Sequence, residues 1–184
     1  INLSLQNSLY RGFFVNIKWI GFQYNWQIEV EKVNKNNISL RKANNEDIQN
    51  ILPFIESFGL DNERLNPEEF VIAEIEGNLA GFGRIKSYHN VFELCTIGVI
   101  QQYRNIGVGK KIVNHLIQIF PFDEIWLTTK KPDYFSSFGF VESENPPYEI
   151  IKKCQRICLN PKSSPVKPVF MVLRKNQKDV KYEF

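Results

Sequence analysis

The chain has 184 residues, 43% of them hydrophobic and 14% aromatic, which is ample core for one domain with an appendage and excludes a disordered chain. Lys and Arg number 23 against 20 acidic residues, and a net charge of +3 is too mild to point to nucleic acid. No apolar run reaches the roughly 20 residues that span a bilayer, so no membrane partner is expected.

Three cysteines, Cys95, Cys154 and Cys158, are an odd number and make no disulfide framework, so a reducing compartment is expected. With only His89 and His115 beside them, their spacing is poor for zinc, and no metal is expected. Residues 1–28 carry Arg11 and Lys18 and no acidic side chain, but are too aromatic for a transit peptide. The expected location is the cytoplasm, with an organelle left open.

In chain order, the first 37 residues differ from the rest. From Ile20 the side chains alternate, with Ile20, Phe22, Tyr24, Trp26, Ile28 and Val30 on one side and polar residues or glycine on the other. That is the period of a half-buried strand, or of a hairpin bent near Tyr24-Asn25. The aromatic row calls for a cover, either the main domain or a second copy or partner. Residues 32–37 read as a linker.

From Ile38 a short strand leads to Asn44-Asn45-Glu46-Asp47, a helix-start signal before Ile48, Ile51, Leu52 and Ile55. Asn66-Pro67-Glu68-Glu69 reads as a second short helix start. Residues 70–76 and 79–86 form a hairpin about Gly77-Asn78, and residues 91–100 follow as a third antiparallel strand. Next comes a helix burying Ile112, Val113, Leu116, Ile117 and Phe120. Residues 124–129 are an apolar strand, 132–138 a short helix stopped by Gly139, and Phe140-Val141 begins another strand. Residues 145–167, rich in proline and lysine, read as a loop before a last strand at 169–173. The expected architecture is α+β: a mixed, mostly antiparallel sheet flanked by helices, spanning residues 38–174 between an N-terminal β extension (1–37) and a polar tail (175–184).

The stretch 94–120 carries the most chemistry. An apolar strand feeds Arg104-Asn105-Ile106-Gly107-Val108-Gly109, which opens a helix whose first N–H groups have no internal partner and can bind an anion. A phosphate loop of the Walker type would need glycine at 104 and Ser or Thr at 111, where Arg104 and Lys111 stand. A dinucleotide fingerprint would need glycine at 112, which is Ile112.

What remains is Arg-x-x-Gly-x-Gly after a strand ending in Gly98-Val99, with Glu93-Leu94 early in that strand and Phe138-Gly139-Phe140 some thirty residues on. This pattern resembles the pyrophosphate loop of the GNAT superfamily of N-acetyltransferases. The resemblance implies acetyl-CoA as co-substrate and an N-acetyltransferase acting by direct transfer. It implies that Ile97 and Val99 offer backbone bonds to the pantetheine arm. Arg104, Asn105, Gly107, Val108, Gly109 and Lys110 would cradle the pyrophosphate, and Glu93 would act as general base. Where relatives often carry a tyrosine acid the chain has Phe135, leaving Tyr134, one residue earlier, as the candidate.

Residues 127–140, with Thr128-Thr129 and Tyr134-Phe135, are similar to the acetyltransferase domain of N-acetylglutamate synthase. That resemblance implies a small amine acceptor such as glutamate, with Arg41 and Arg84 as its carboxylate clamps. Two alternatives stay open: acetylation of a protein lysine or N-terminus, and a non-catalytic acyl-CoA sensor whose N-terminal strand forms a homodimer or partner surface.

Overall fold

A computed structural model describes residues 14–16, 29–31, 37–121, 123–157 and 167–175. Strands β1 (Phe14–Asn16) and β2 (Glu29–Glu31) pair antiparallel, Val15 opposite Val30, as a sheet of two strands. The alternating row from Ile20 to Ile28 lies outside the described residues, as do Cys158 and the tail from residue 176.

The main sheet has seven strands: β3 (Ile38–Lys42), β4 (Phe70–Ile75), β5 (Asn78–Tyr88), β6 (Val91–Val99), β7 (Glu124–Thr129), β8 (Val141–Glu142) and β9 (Val169–Arg174). They lie in the order β3-β4-β5-β6-β7-β9-β8, and all neighbours are antiparallel except β6 and β7. The mixed, mostly antiparallel sheet with flanking helices is the architecture expected from the sequence. The hairpin between β4 and β5 turns one residue earlier than expected, on Glu76 and Gly77, both left-handed at φ 53° and 75°. Two consecutive positive φ angles match the twist of the flanking strands.

Helix α1 (Asn45–Ser57) starts where the sequence signals it. The Asn44 side chain accepts from the Asp47 N–H at 2.9 Å, while Asp47 accepts from the Asn44 N–H at 2.8 Å, a reciprocal cap. Its buried Ile51 and Ile55 pack with Phe70, Ile72 and Phe82 on one face of the sheet. Helix α2 (Val108–Ile119) buries Val108, Ile112, Val113 and Leu116 on the other face. It approaches β5 so closely that a Cβ on Gly83 would stand 2.8 Å from a methyl of Ile112. A short helix α3 (Pro132–Ser136) ends before Gly139, which is left-handed at φ 91°.

One expectation is met in its shortest form and another is corrected. Asn66 caps only a single 3-10 turn, Pro67–Glu69, because Phe70 passes directly into β4. The supposed loop 145–167 contains a helix, α4 (Tyr148–Ile157), which buries Ile150, Lys153 and Cys154. Pro146-Pro147 starts that helix rather than breaking it, since proline is tolerated ahead of the first hydrogen-bonded turn. Ile150 packs with Tyr88, Trp126 and Val172. Phe82, Arg84, Lys86 and Tyr88 alternate onto one face of β5, so α1 and α4 cover the same side.

Candidate functional site

The site is organised by a defect in the sheet. Along β5 and β6 the register runs Gly81 to Val99 and Phe82 to Gly98, then skips to Arg84 and Cys95. Gly83 therefore faces two residues, Thr96 and Ile97, which is a bulge. Thr96 takes a left-handed φ of 52°, unusual for a β-branched residue. Its hydroxyl is fixed by donating to the Asp61 carbonyl at 3.0 Å and accepting from Arg84 Nε at 3.1 Å. The bulge bends β6 away from β7, and their parallel register holds one pair, Glu93 with Trp126. Past Glu93 no register pair joins β6 to β7, and the two strands part in a wedge on the side of β6 away from β5, along Ile97 and Val99.

At the far end of β6 the anion turn takes shape. Asn105 and Gly107 are left-handed at φ 64° and 99°. Gly107 caps α2 with no side-chain hydrogen bond, so among the described residues no capping side chain occupies the first N–H groups of the helix. Nothing lies within 4 Å of where a Cβ on Gly107 would stand. Lys110 is exposed beside the turn, while Lys111 donates to the Ile38 carbonyl. Arg104 folds back, Nε donating to the Val99 carbonyl at 3.1 Å with its guanidinium over the Phe58 ring. This donor set, peptide N–H groups with Arg104 and Lys110, suits a pyrophosphate.

Tyr134 converges on the same place. A Cβ built on Gly109 would lie 3.0 Å from the Tyr134 hydroxyl and 3.4 Å from a methyl of Val99. The structure thus brings Val99, Gly109 and Tyr134 together, with Tyr134 39% exposed. Burial pushes its phenol pKa up, so it keeps its proton at neutral pH.

Glu93 sits where the wedge opens and is fully buried. It accepts from Lys153 Nζ at 2.8 Å, from the Tyr88 hydroxyl at 3.2 Å and from the Thr128 hydroxyl at 3.4 Å. Burial, with the Glu93 charge beside it, raises Tyr88 far above the ordinary phenol range, so Tyr88 is a neutral donor. Burial also pushes the Cys95 thiol up to about 11, which makes it a core thiol and not a nucleophile.

The expected carboxylate clamps are engaged elsewhere. Arg84 is fully buried and directs its five N–H donors to Thr96, the Asp61, Glu63 and Arg64 carbonyls, and Glu69. Arg41, on β3, directs its five to Asp47, Glu74 and the Lys42 carbonyl. Neither presents a free fork to a ligand.

Asp61, Glu93 and Cys95 bring ligand atoms within 4.8 Å of one another. The ammonium groups of Lys86 and Lys153 already stand on those carboxylates, at 2.8 Å each, where a metal ion would be. Tyr88, Lys153 and Asp61 were assigned no role from the sequence, and Thr128 entered only as part of a resemblance, without a role at Glu93. The available signal was the alternation Phe82-Arg84-Lys86-Tyr88, which puts two cations and a phenol on one face of a strand.

The sequence model described as "Acetyltransferase (GNAT) family" matches residues 23–140. No curated protein matches the chain significantly in sequence. Among solved structures, N-acetylglutamate synthase from Neisseria gonorrhoeae, complexed with coenzyme A and N-acetyl-glutamate, is similar at TM-score 0.59 and 19% identity over 76% of this chain. The chain spans only 35% of that protein's length. Rv2747 from Mycobacterium tuberculosis, with CoA and a second ligand, is similar at TM-score 0.60 and 20% identity, over 75% of this chain and 99% of that one. Naa50 from Arabidopsis thaliana, with the bisubstrate analogue CoA-Ac-MVNAL, is similar at TM-score 0.53 and 15% identity, over 76% and 99%.

Proposed function

The chain belongs to the GNAT family of acetyltransferases, and from that premise we propose that it transfers acetyl from acetyl-CoA directly to the amine of a small acceptor, an amino acid such as glutamate. The observation that carries this reading is the wedge: β6 leaves β7 after the single pair at Glu93, and an uncapped helix N-terminus stands at the other end of the same strand. Acetyl-CoA supplies an activated acyl group on a thiol that leaves readily. The protein supplies backbone along Ile97 and Val99 to orient it, and N–H groups near Gly107 to Lys110 to hold its phosphates.

Glu93 takes the proton that the acceptor amine must lose, with Tyr88 as the hydroxyl hydrogen-bonded to it. Tyr134, protonated and close to Val99 and Gly109, is the group placed to give a proton to the departing thiolate. Direct transfer fits the buried, protonated Cys95. The buried thiol of Cys95 fits a reducing compartment, and the cytoplasm is the proposed location.

Thiol release from acetyl-CoA, measured across the twenty amino acids, polyamines and short peptides, tests the reading. Turnover is expected with a dicarboxylic amino acid. Selective turnover of a peptide would instead establish a protein acetyltransferase, and tight CoA binding without any turnover would establish the sensor.

The phosphate turn has its own test. Gly109→Val fills the space shared by Val99 and Tyr134 at the start of α2. CoA affinity measured by calorimetry is expected to fall about tenfold or more, a loss of about 1.4 kcal/mol, with the circular dichroism spectrum unchanged. An unchanged affinity would remove Gly109 from the binding turn.

A further inference from the structure

A cavity of about 340 Å³ opens at the hairpin end of β5 and β6, opposite the phosphate turn. Glu63 and Arg64 wall it from the loop after α1, Tyr88 and His89 from the hairpin turn, and Glu149, Lys152 and Arg156 from α4. Its volume is that of a small-molecule site. One lining residue ties it to the wedge: Tyr88 borders the cavity, and its hydroxyl donates to Glu93 at 3.2 Å. The cavity and the buried carboxylate therefore share one residue, Tyr88.

The charges of the lining indicate what that molecule is. Arg156 and Glu63 bind each other through two contacts, 3.1 and 2.8 Å, and cancel. Arg64 stacks over the Tyr88 ring at 5.4 Å and Lys152 over the Tyr148 ring at 5.6 Å, and neither makes a side-chain hydrogen bond or ion pair among the described residues. Glu149 is the remaining acid. Two cations and one anion are thus left facing a small cavity. The complement of that set is two carboxylates and one ammonium.

We infer that this cavity is the acceptor site and that it selects an amino acid carrying a second carboxylate, with Arg64 and Lys152 as the carboxylate-binding residues in place of Arg41 and Arg84. Helix α4, which the sequence did not announce, then supplies Lys152 to the specificity pocket and Lys153 to Glu93 from adjacent positions. The role of the bound molecule as acetyl acceptor rests on the transferase reading; its binding does not.

The experiment is a calorimetric titration of the protein with L-glutamate in the presence of CoA, repeated with putrescine. Glutamate is expected to bind saturably, with affinity falling roughly tenfold in Arg64→Ala and again in Lys152→Ala, the size of a lost charge-assisted contact. CoA affinity should stay constant, and putrescine should bind weakly in all three proteins. Both substituted residues are exposed and, among the described residues, make no hydrogen bond through their side chains, so the variants keep the fold. Absence of saturable glutamate binding, or equal affinity in wild type and both variants, overturns the assignment. If glutamate binds as expected but no thiol is released from acetyl-CoA, the assignment stands and the transferase reading fails.

Discussion

Asp61→Ala is expected to destabilise the protein by about 3–5 kcal/mol, the cost of leaving a buried charge without its partner. Asp61 is 5% exposed and sits in the loop after α1. Its carboxylate accepts from Lys86 Nζ at 2.8 Å and from the Glu63 N–H at 2.8 Å, and it lies 3.4 Å from Arg84. Lys86 is 1% exposed, and its next acidic neighbour, Glu63, stands at 4.0 Å. Without the carboxylate, the ammonium and the adjoining guanidinium are buried with too little negative charge. Urea denaturation measures the loss, and Asp61→Asn, which keeps the shape, should recover little of it. Recovery to wild-type stability in Asp61→Asn would mean that packing, and not charge, holds the loop.

The same carboxylate gives stability a pH dependence. Burial alone would raise the Asp61 pKa, but Lys86, the Glu63 N–H and Arg84 together outweigh it and hold it below the usual carboxylate range. A depressed folded-state pKa contributes stability above the unfolded-state value, about 4, that is lost as pH falls through the folded value. Asp47 acts in the same direction because Arg41 grips it. The melting temperature of the wild type should therefore fall on acidification below about pH 4. Asp61→Ala should show a shallower fall over that range.

Glu93→Gln is the second large effect, an expected loss of about 10²–10⁴-fold in turnover with CoA affinity nearly unchanged. Because Glu93 pairs with Lys153 at 2.8 Å, the single change also removes that carboxylate from a buried ammonium. Lys153→Met in the same protein separates the two consequences. The double variant should regain stability, since the buried ammonium is gone with the carboxylate, and should stay inactive, since the base is still missing. A double variant with wild-type turnover would make Glu93 a structural ion-pair partner and leave the amine to another base.

The phosphate turn was legible locally. A strand ending in Gly98-Val99, then Arg104, Gly107 and Gly109, then an apolar stripe at helical spacing defines a bare helix N-terminus within about a dozen residues. The N-cap at Asn44 and the span of β7 were legible for the same reason, because caps and alternation act between near neighbours. Helix α4 was hidden by two prolines and its lysines, although Ile150, Cys154 and Ile157 keep helical spacing.

The sequence by itself determined the family, the layered architecture and the turn that meets an anion, since each depends on residues adjacent in the chain or one helical turn apart. Only the tertiary structure decided what the charged residues do. Arg84, Lys86 and Glu93 have the spacing of a solvated strand face, yet all three are buried, because the loop carrying Asp61 and helix α4 close over that face. Those partners lie 23, 25 and 60 positions away along the chain. Coulomb energies and desolvation follow distance in space, so which arginine is a clamp and which a strut is set by the fold.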